Sequence, residues 1–145
     1  MDQNQNFTQF NNNLSTSGAL TQASLGFFKH NHYAYVINLL PDQHALAWLD
    51  EHKQLELYGI EYIYIPVNFK NPLQADLNQF YSALARCSNQ KVHIHCAANY
   101  RVSVFYGLYA FKNNILNIQD AQAVMRHYWD PFANPVWRQF IEFNL

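Results

Sequence analysis

Cys96 and Arg101 are the residues with the most chemistry to offer, with four residues between them. A cysteine thiolate is a strong nucleophile, and an arginine presents a planar fork that pairs with two oxygens of an oxyanion. Both lie in the stretch V-H-I-H-C-A-A-N-Y-R-V-S, residues 92–103. Residues 91–96 have the composition of a short strand, and residues 102–111 are apolar all round, the pattern of a buried helix. The spacing predicts a strand ending at His95-Cys96, a short loop, and a helix starting near Arg101. Such a junction aims several backbone N–H groups at one point, and the helix dipole adds positive potential there. A thiolate at that point is stabilised and acts as a nucleophile near neutral pH. A cation at a helix start opposes the dipole, so a bound anion is the natural reason for Arg101. The oxyanion-binding candidates are Ala97, Ala98, Asn99, Tyr100 and Arg101. His95 takes a supporting place, donating to the loop backbone.

A metal reading competes with this one. Alternation puts His93 and His95 on one strand face beside Cys96, and all three are possible zinc ligands. A fourth ligand would have to come from elsewhere, and no Cys-x-x-Cys or His-Glu-x-x-His accompanies them. No metal and no cofactor is therefore expected. His30 and His32 read as solvated. Cys87 precedes the strand that Cys96 ends, and that strand covers about 16 Å. Disulfide pairing needs Cα atoms within roughly 7 Å, so a Cys87–Cys96 bridge is rejected.

The elements that must position this loop read as alternating strands and helices. Residues 33–40, 60–67 and 91–96 read as strands. Residues 43–58 carry Leu46, Leu49 and Leu57 between charges, an amphipathic helix closed by Gly59. Asn71-Pro72 opens a second helix with the stripe Leu73, Leu77, Phe80, Tyr81 and Leu84. Residues 118–129 and 135–143 read as two more. Their aromatics Tyr128, Trp129, Phe132, Trp137, Phe140 and Phe143 read as core or a packed helix pair. This alternation implies a three-layer α/β domain, a mostly parallel sheet flanked by helices. Ligands of such sheets bind beyond the carboxyl ends of the strands, where Cys96 falls. Residues 1–13 are rich in Asn and Gln and read as a flexible polar arm, with Phe7 and Phe10 as its only apolar anchors. Residues 14–145 read as a single domain.

Composition narrows the partners. The chain has 145 residues, 50% hydrophobic and 17% aromatic, enough for one core. Charged residues are 13% and the net charge is −1, which leaves no electrostatic footprint for nucleic acid or an anionic membrane. No apolar run approaches the roughly 20 residues of a membrane span. The polar start lacks a secretory pattern, so a cytoplasmic location is expected.

His95-Cys96 followed by Arg101 at a strand–loop–helix junction resembles the signature loop of cysteine-dependent phosphatases of the tyrosine and dual-specificity type. Ser17-Gly18 followed by Thr21 resembles the early Ser-Gly-x-x-Thr segment of a bacterial branch. Val36-Ile37-Asn38-Leu39 resembles its first core strand, and Ile65-Pro66-Val67 the strand leading to the general-acid loop. The resemblance spans about residues 14–112. It is closest to the small bacterial phosphatase-like domains found alone or fused to β-lactamase-like hydrolases. It implies a cysteine-phosphatase fold and hydrolysis of phosphate monoesters through a thiophosphate on Cys96. The substrate would be a phosphorylated small molecule or a phosphoprotein.

Two departures qualify it. The family places five residues between Cys and Arg, and this chain has four. With the helix in its usual place, Val102 would fill the Arg slot and Ser103 would supply the hydroxyl that follows. If Arg101 acts, the loop is one residue tighter, as in rhodanese-type sulfurtransferases, although the bacterial branch also has members with this short spacing. The second departure is Asn68, which stands where the family has the acid that protonates the leaving oxygen. Losing such an acid typically costs about 10²–10⁴-fold. Asp76 and Asp42 are the candidate replacements, with Asp130 more distant. Weak turnover favouring aryl phosphates is expected. The alternatives are a sulfurtransferase carrying a Cys96 persulfide from a sulfur donor, and a non-catalytic oxyanion- or phosphopeptide-binding module.

Overall fold

The computed structural model describes residues 5–145. Five strands form one sheet in the order β1-β2-β5-β3-β4. They are β1 (Thr8–Asn11), β2 (Leu14–Ser17), β3 (Tyr35–Asn38), β4 (Glu61–Tyr64) and β5 (Val92–His95). β5 pairs in parallel with β2 on one side and β3 on the other, and β3 pairs in parallel with β4. Only the β1–β2 hairpin is antiparallel. Six α-helices cover the sheet: α1 (Ser24–His30), α2 (Glu51–Leu57), α3 (Gln74–Arg86), α4 (Tyr100–Lys112), α5 (Ile118–Met125) and α6 (Pro135–Asn144). No described helix is long and apolar enough to cross a membrane.

Strand alternation sorts the core into two layers. Ile37, Leu39, Ile94 and Cys96 face the larger layer, which holds Leu77 and Phe80 of α3, Phe105 and Leu108 of α4, and Trp137 and Ile141 of α6. Val36 faces the smaller layer with Leu25 and Phe28 of α1 and Leu55 of α2. β3 therefore feeds α2 on one face, while its neighbour β5 feeds α4 on the other. The two connections diverge at the carboxyl ends of adjacent strands and leave a crevice there. This is the mixed α/β fold expected from the sequence, with the cysteine loop at its switch point.

Three local expectations are corrected. Within the expected flexible arm, residues 1–4 lie outside the described residues, but Thr8–Asn11 form edge strand β1. Phe10 anchors it on Tyr106 at 4.6 Å and Phe7 packs on Phe27 at 5.6 Å, the two apolar anchors read from the sequence. The helix expected over 43–58 is confined to Glu51–Leu57. Residues 43–50 run as i→i+3 turns that dock Trp48 on the smaller layer, so Leu46, Leu49 and Leu57 stay 57%, 73% and 71% exposed. Tertiary docking overrode the apparent stripe. The helix expected over 118–129 stops at Met125 and is followed by a 3-10 turn at Pro131–Ala133.

Candidate active site

The cysteine loop is clamped from three sides. Cys96 leaves β5 with its N–H directed to the Ser17 carbonyl at 3.4 Å, and Ala19 N–H donates to the Ala97 carbonyl at 3.0 Å. Asn6 Nδ2 donates to the Ala98 carbonyl at 2.9 Å, and Asn99 Nδ2 returns a bond to the Asn6 carbonyl at 2.8 Å. Asn99 also donates to Thr16 Oγ1 at 2.9 Å. Asn99 adopts φ 67°, the left-handed region that asparagine tolerates, and this reversal lets α4 begin at Tyr100 only four residues after the cysteine. Gly18 lies against the loop backbone: a Cβ there would stand 2.6 Å from the Ala97 carbonyl oxygen. The early Ser-Gly pair is thus a seat for the loop.

Arg101 is the second residue of α4. It is 7% exposed, and no described residue accepts from its Nε or Nη1. Burial pulls its pKa down, and the coulombic influence of Cys96 opposes that fall. The Phe69 ring lies 5.4 Å from the guanidinium carbon. Val102 is fully buried in the core and does not fill the arginine slot. Ser103 Oγ donates to the Tyr100 carbonyl at 2.9 Å, which ties it to the first turn of α4. Cys96 itself is 1% exposed, so only a small group seated deep in the loop reaches its sulfur.

Beneath the loop the two histidines of β5 lie on one sheet face and differ in chemistry. Ser17 Oγ donates to the Gly18 carbonyl at 2.8 Å and so accepts from His93 Nε2 at 2.7 Å. Nδ1 of His93 then accepts from Ser15 Oγ at 2.7 Å, and Ser15 accepts from Tyr33 Oη at 2.7 Å. Each donor in this chain has one acceptor, which is the pattern of a neutral imidazole. Complete burial and the neighbouring His95 both push the His93 pKa well down. Both nitrogens of His95 instead face acceptors: Nε2 donates to Glu51 Oε2 at 2.6 Å, and Nδ1 meets the Cys96 carbonyl at 3.4 Å. His95 and Glu51 are 1% and 2% exposed, so this is a buried hydrogen-bonded pair beside Cys96 in the chain.

None of the expected acids is shown against the sulfur, and the carboxylates of Asp76 and Asp130 each cap a local turn. Asn68 is exposed, and its Oδ1 accepts from Lys70 N–H at 2.9 Å. The loop carrying it does border the site, because Phe69 covers Arg101. Asp76 Oδ2 accepts from Leu73 N–H at 3.1 Å and tethers the start of α3. Partial burial raises the Asp76 pKa, and that hydrogen bond opposes the rise. Asp42 is exposed at the end of β3, where its N–H donates to Tyr64 Oη at 2.9 Å. Asp130 Oδ1 accepts from Phe132 N–H at 3.1 Å. Cys87 sits buried at the end of α3, before β5, and burial pushes its pKa up to about 11.

Sequence reasoning missed Glu51, Asn6 and the aromatic rim. Trp129 stacks on Tyr100 at 5.0 Å and 3°, and Phe69 meets Trp129 at 5.3 Å. The Trp129 indole N–H donates to the Tyr100 carbonyl at 3.1 Å, which fixes the rim to the loop. Trp137 is fully buried core, as expected of that segment, while Phe143 is 79% exposed. The polar alternations of β2 (Ser15, Ser17) and β5 (His93, His95) were a usable signal, since matched polar faces suggest adjacent strands.

No protein-family model and no curated protein matches the sequence. Solved structures do. A DUF442 protein of phosphatase type from Shewanella putrefaciens CN-32 is 31% identical, with a TM-score of 0.85 over 95% of this chain and 87% of that one. The core catalytic domain of the PP-IP phosphatase SIW14 from S. cerevisiae, in complex with citrate, is 20% identical. Its TM-score is 0.76 over 94% of this chain and 83% of that one. TpbA of P. aeruginosa, in complex with pTyr, is 16% identical, with a TM-score of 0.77 over 97% and 85% of the two chains. The last two establish the fold alone. The 31% identity to the Shewanella protein over 95% of this chain shows that the chain belongs to the DUF442 family.

Proposed function

We propose that the chain hydrolyses phosphate monoesters by a cysteine mechanism. The observation that carries this reading is Arg101, a buried guanidinium at the start of α4, five residues after Cys96, with two nitrogens unpartnered among the described residues. A buried cation without an acceptor is costly, and a dianionic phosphoryl group would satisfy it through a bidentate pair. Cys96 thiolate attacks phosphorus in line, forming the S–P bond as the P–O bond to the leaving group breaks. Arg101 and the loop amides from Ala97 to Arg101 stabilise the equatorial oxygens. Water then attacks phosphorus, releasing phosphate and restoring the thiolate.

The buried Glu51–His95 hydrogen bond fixes the imidazole ring next to the Cys96 carbonyl at the end of β5. With Asn68 in the acid's place, the leaving oxygen departs without a proton from that residue. Good leaving groups are therefore favoured, and the Phe69–Tyr100–Trp129 rim suits an aryl group. The neighbours' association with pTyr and with PP-IP supports a phosphorylated substrate.

The test is a paired assay on wild type and Cys96→Ser: phosphate released from an aryl phosphate, and thiocyanate formed from thiosulfate and cyanide. Cys96-dependent phosphate release is expected. Cys96-dependent thiocyanate without phosphate would instead make the tight loop a persulfide carrier. Failure of both, with retained vanadate binding, would make the protein an oxyanion-binding module.

A further inference from the structure

The structure assigns a second binding site, behind the anion loop, for a small neutral apolar molecule carrying one N–H or O–H donor. A cavity of about 220 Å³ lies between the β1–β2 hairpin and helices α4 and α5, lined chiefly by Phe10, Thr16, Asn99, Ala123, Val124 and His127. Its walls are mostly apolar, and none of its lining residues is Asp, Glu, Lys or Arg. An apolar cavity of about 150 Å³ accommodates benzene, so this one has room for a fused pair of rings.

Thr8, Thr16, Ser103, His127 and Tyr128 add polar atoms to the lining, but the side chain with an orphaned acceptor is Asn99, which is 1% exposed. Both Nδ2 hydrogens are used, one on the Asn6 carbonyl and one on Thr16 Oγ1. Those bonds fix the amide orientation, because the flipped amide would set two oxygens against each other. Oδ1 is left buried with no donor from any described residue. An unpaired buried acceptor is costly, and a ligand N–H or O–H entering the cavity would relieve it. A cationic ligand would find no carboxylate in the wall, and a purely apolar one would leave Oδ1 unpaired. The site uses neither Cys96 nor Arg101, so it stands apart from the proposed phosphatase chemistry.

Indole is the probe, with 1-methylindole as the matched molecule lacking the donor. Calorimetric titration of wild type is expected to show one indole site and about tenfold weaker binding of 1-methylindole. Ala123→Phe fills the mouth from an exposed helix position and is expected to abolish indole binding with thermal stability retained. Ala123→Leu serves the same purpose should the larger ring unfold the helix. Absence of binding at millimolar indole, equal affinity for the two probes, or undiminished indole binding in the folded variant would each overturn the assignment.

Discussion

Gly18 offers a sharp test of the loop's seat, because a single methyl group separates two outcomes. Its Cβ would lie 2.6 Å from the Ala97 carbonyl oxygen, 3.0 Å from the Gln5 carbonyl oxygen and 3.2 Å from Ala98 Cα. All three are backbone atoms, so no side chain can swing aside. Ordinary van der Waals contact begins near 3.4 Å, so the loop must retreat by about 0.8 Å in Gly18→Ala. Overpacking of this kind costs about 1–3 kcal/mol of stability. A displacement of about 1 Å in a positioning element costs about 10²-fold in rate, so kcat/KM for an aryl phosphate should fall by roughly that factor. Gly26 supplies the control. It lies within α1, and a Cβ added there would meet nothing within 4 Å. Gly26→Ala should therefore gain about 0.5–1 kcal/mol and leave activity unchanged. The assay pairs urea unfolding with steady-state kinetics on both variants. Wild-type kinetics and stability in Gly18→Ala, or equal losses in the two variants, would refute the seat.

Three further outcomes follow from the site. Glu51→Ala should cost about 1–3 kcal/mol in urea unfolding, because it leaves the buried His95 Nε2–H without its acceptor, and an unchanged stability would contradict that role. His93 is held neutral in the fold, so its contribution is complete above about pH 6.5 and is lost as pH falls below it, when the unfolded chain binds the extra proton. Wild type should therefore lose about 1 kcal/mol more than His93→Gln between pH 7 and 5.5, and parallel pH profiles would rule this out. Asn68→Asp keeps an acceptor for Lys70 N–H and adds a proton donor on the loop bordering Arg101. Turnover of alkyl phosphates should rise by at least about tenfold while aryl phosphates change little, and no selective gain would place the acid elsewhere.

What the sequence revealed depended on how local each signal was. The β5–loop–α4 junction was legible because strand, loop and buried helix are contiguous and the two reactive residues lie within it. The three-layer class was legible because strands and helices alternate. Glu51 was not, since a charged residue among charges on a helical pattern reads as solvated, and only the fold sets it against a histidine 44 residues away. The stretch 43–50 misled for the same reason in reverse: its leucines fit a helical stripe, but the docking of Trp48 settled the backbone. Asn6 looked like an ordinary polar arm residue, and the bond its carbonyl accepts from Asn99 joins chain segments 93 residues apart.

That last clamp bears on the order in which the molecule is completed. β2 and β5 pair across a sequence separation of 76 to 78 residues at their serine–histidine contacts, and the Asn6–Asn99 bond spans more still. Contacts of such span form slowly, because the entropy of closing the intervening chain must be lost before they contribute. Helices α3 to α6 draw on nearer neighbours and can form sooner. On refolding, helical circular dichroism should therefore recover before vanadate binding, and regained affinity for the oxyanion should mark arrival of the N-terminal hairpin.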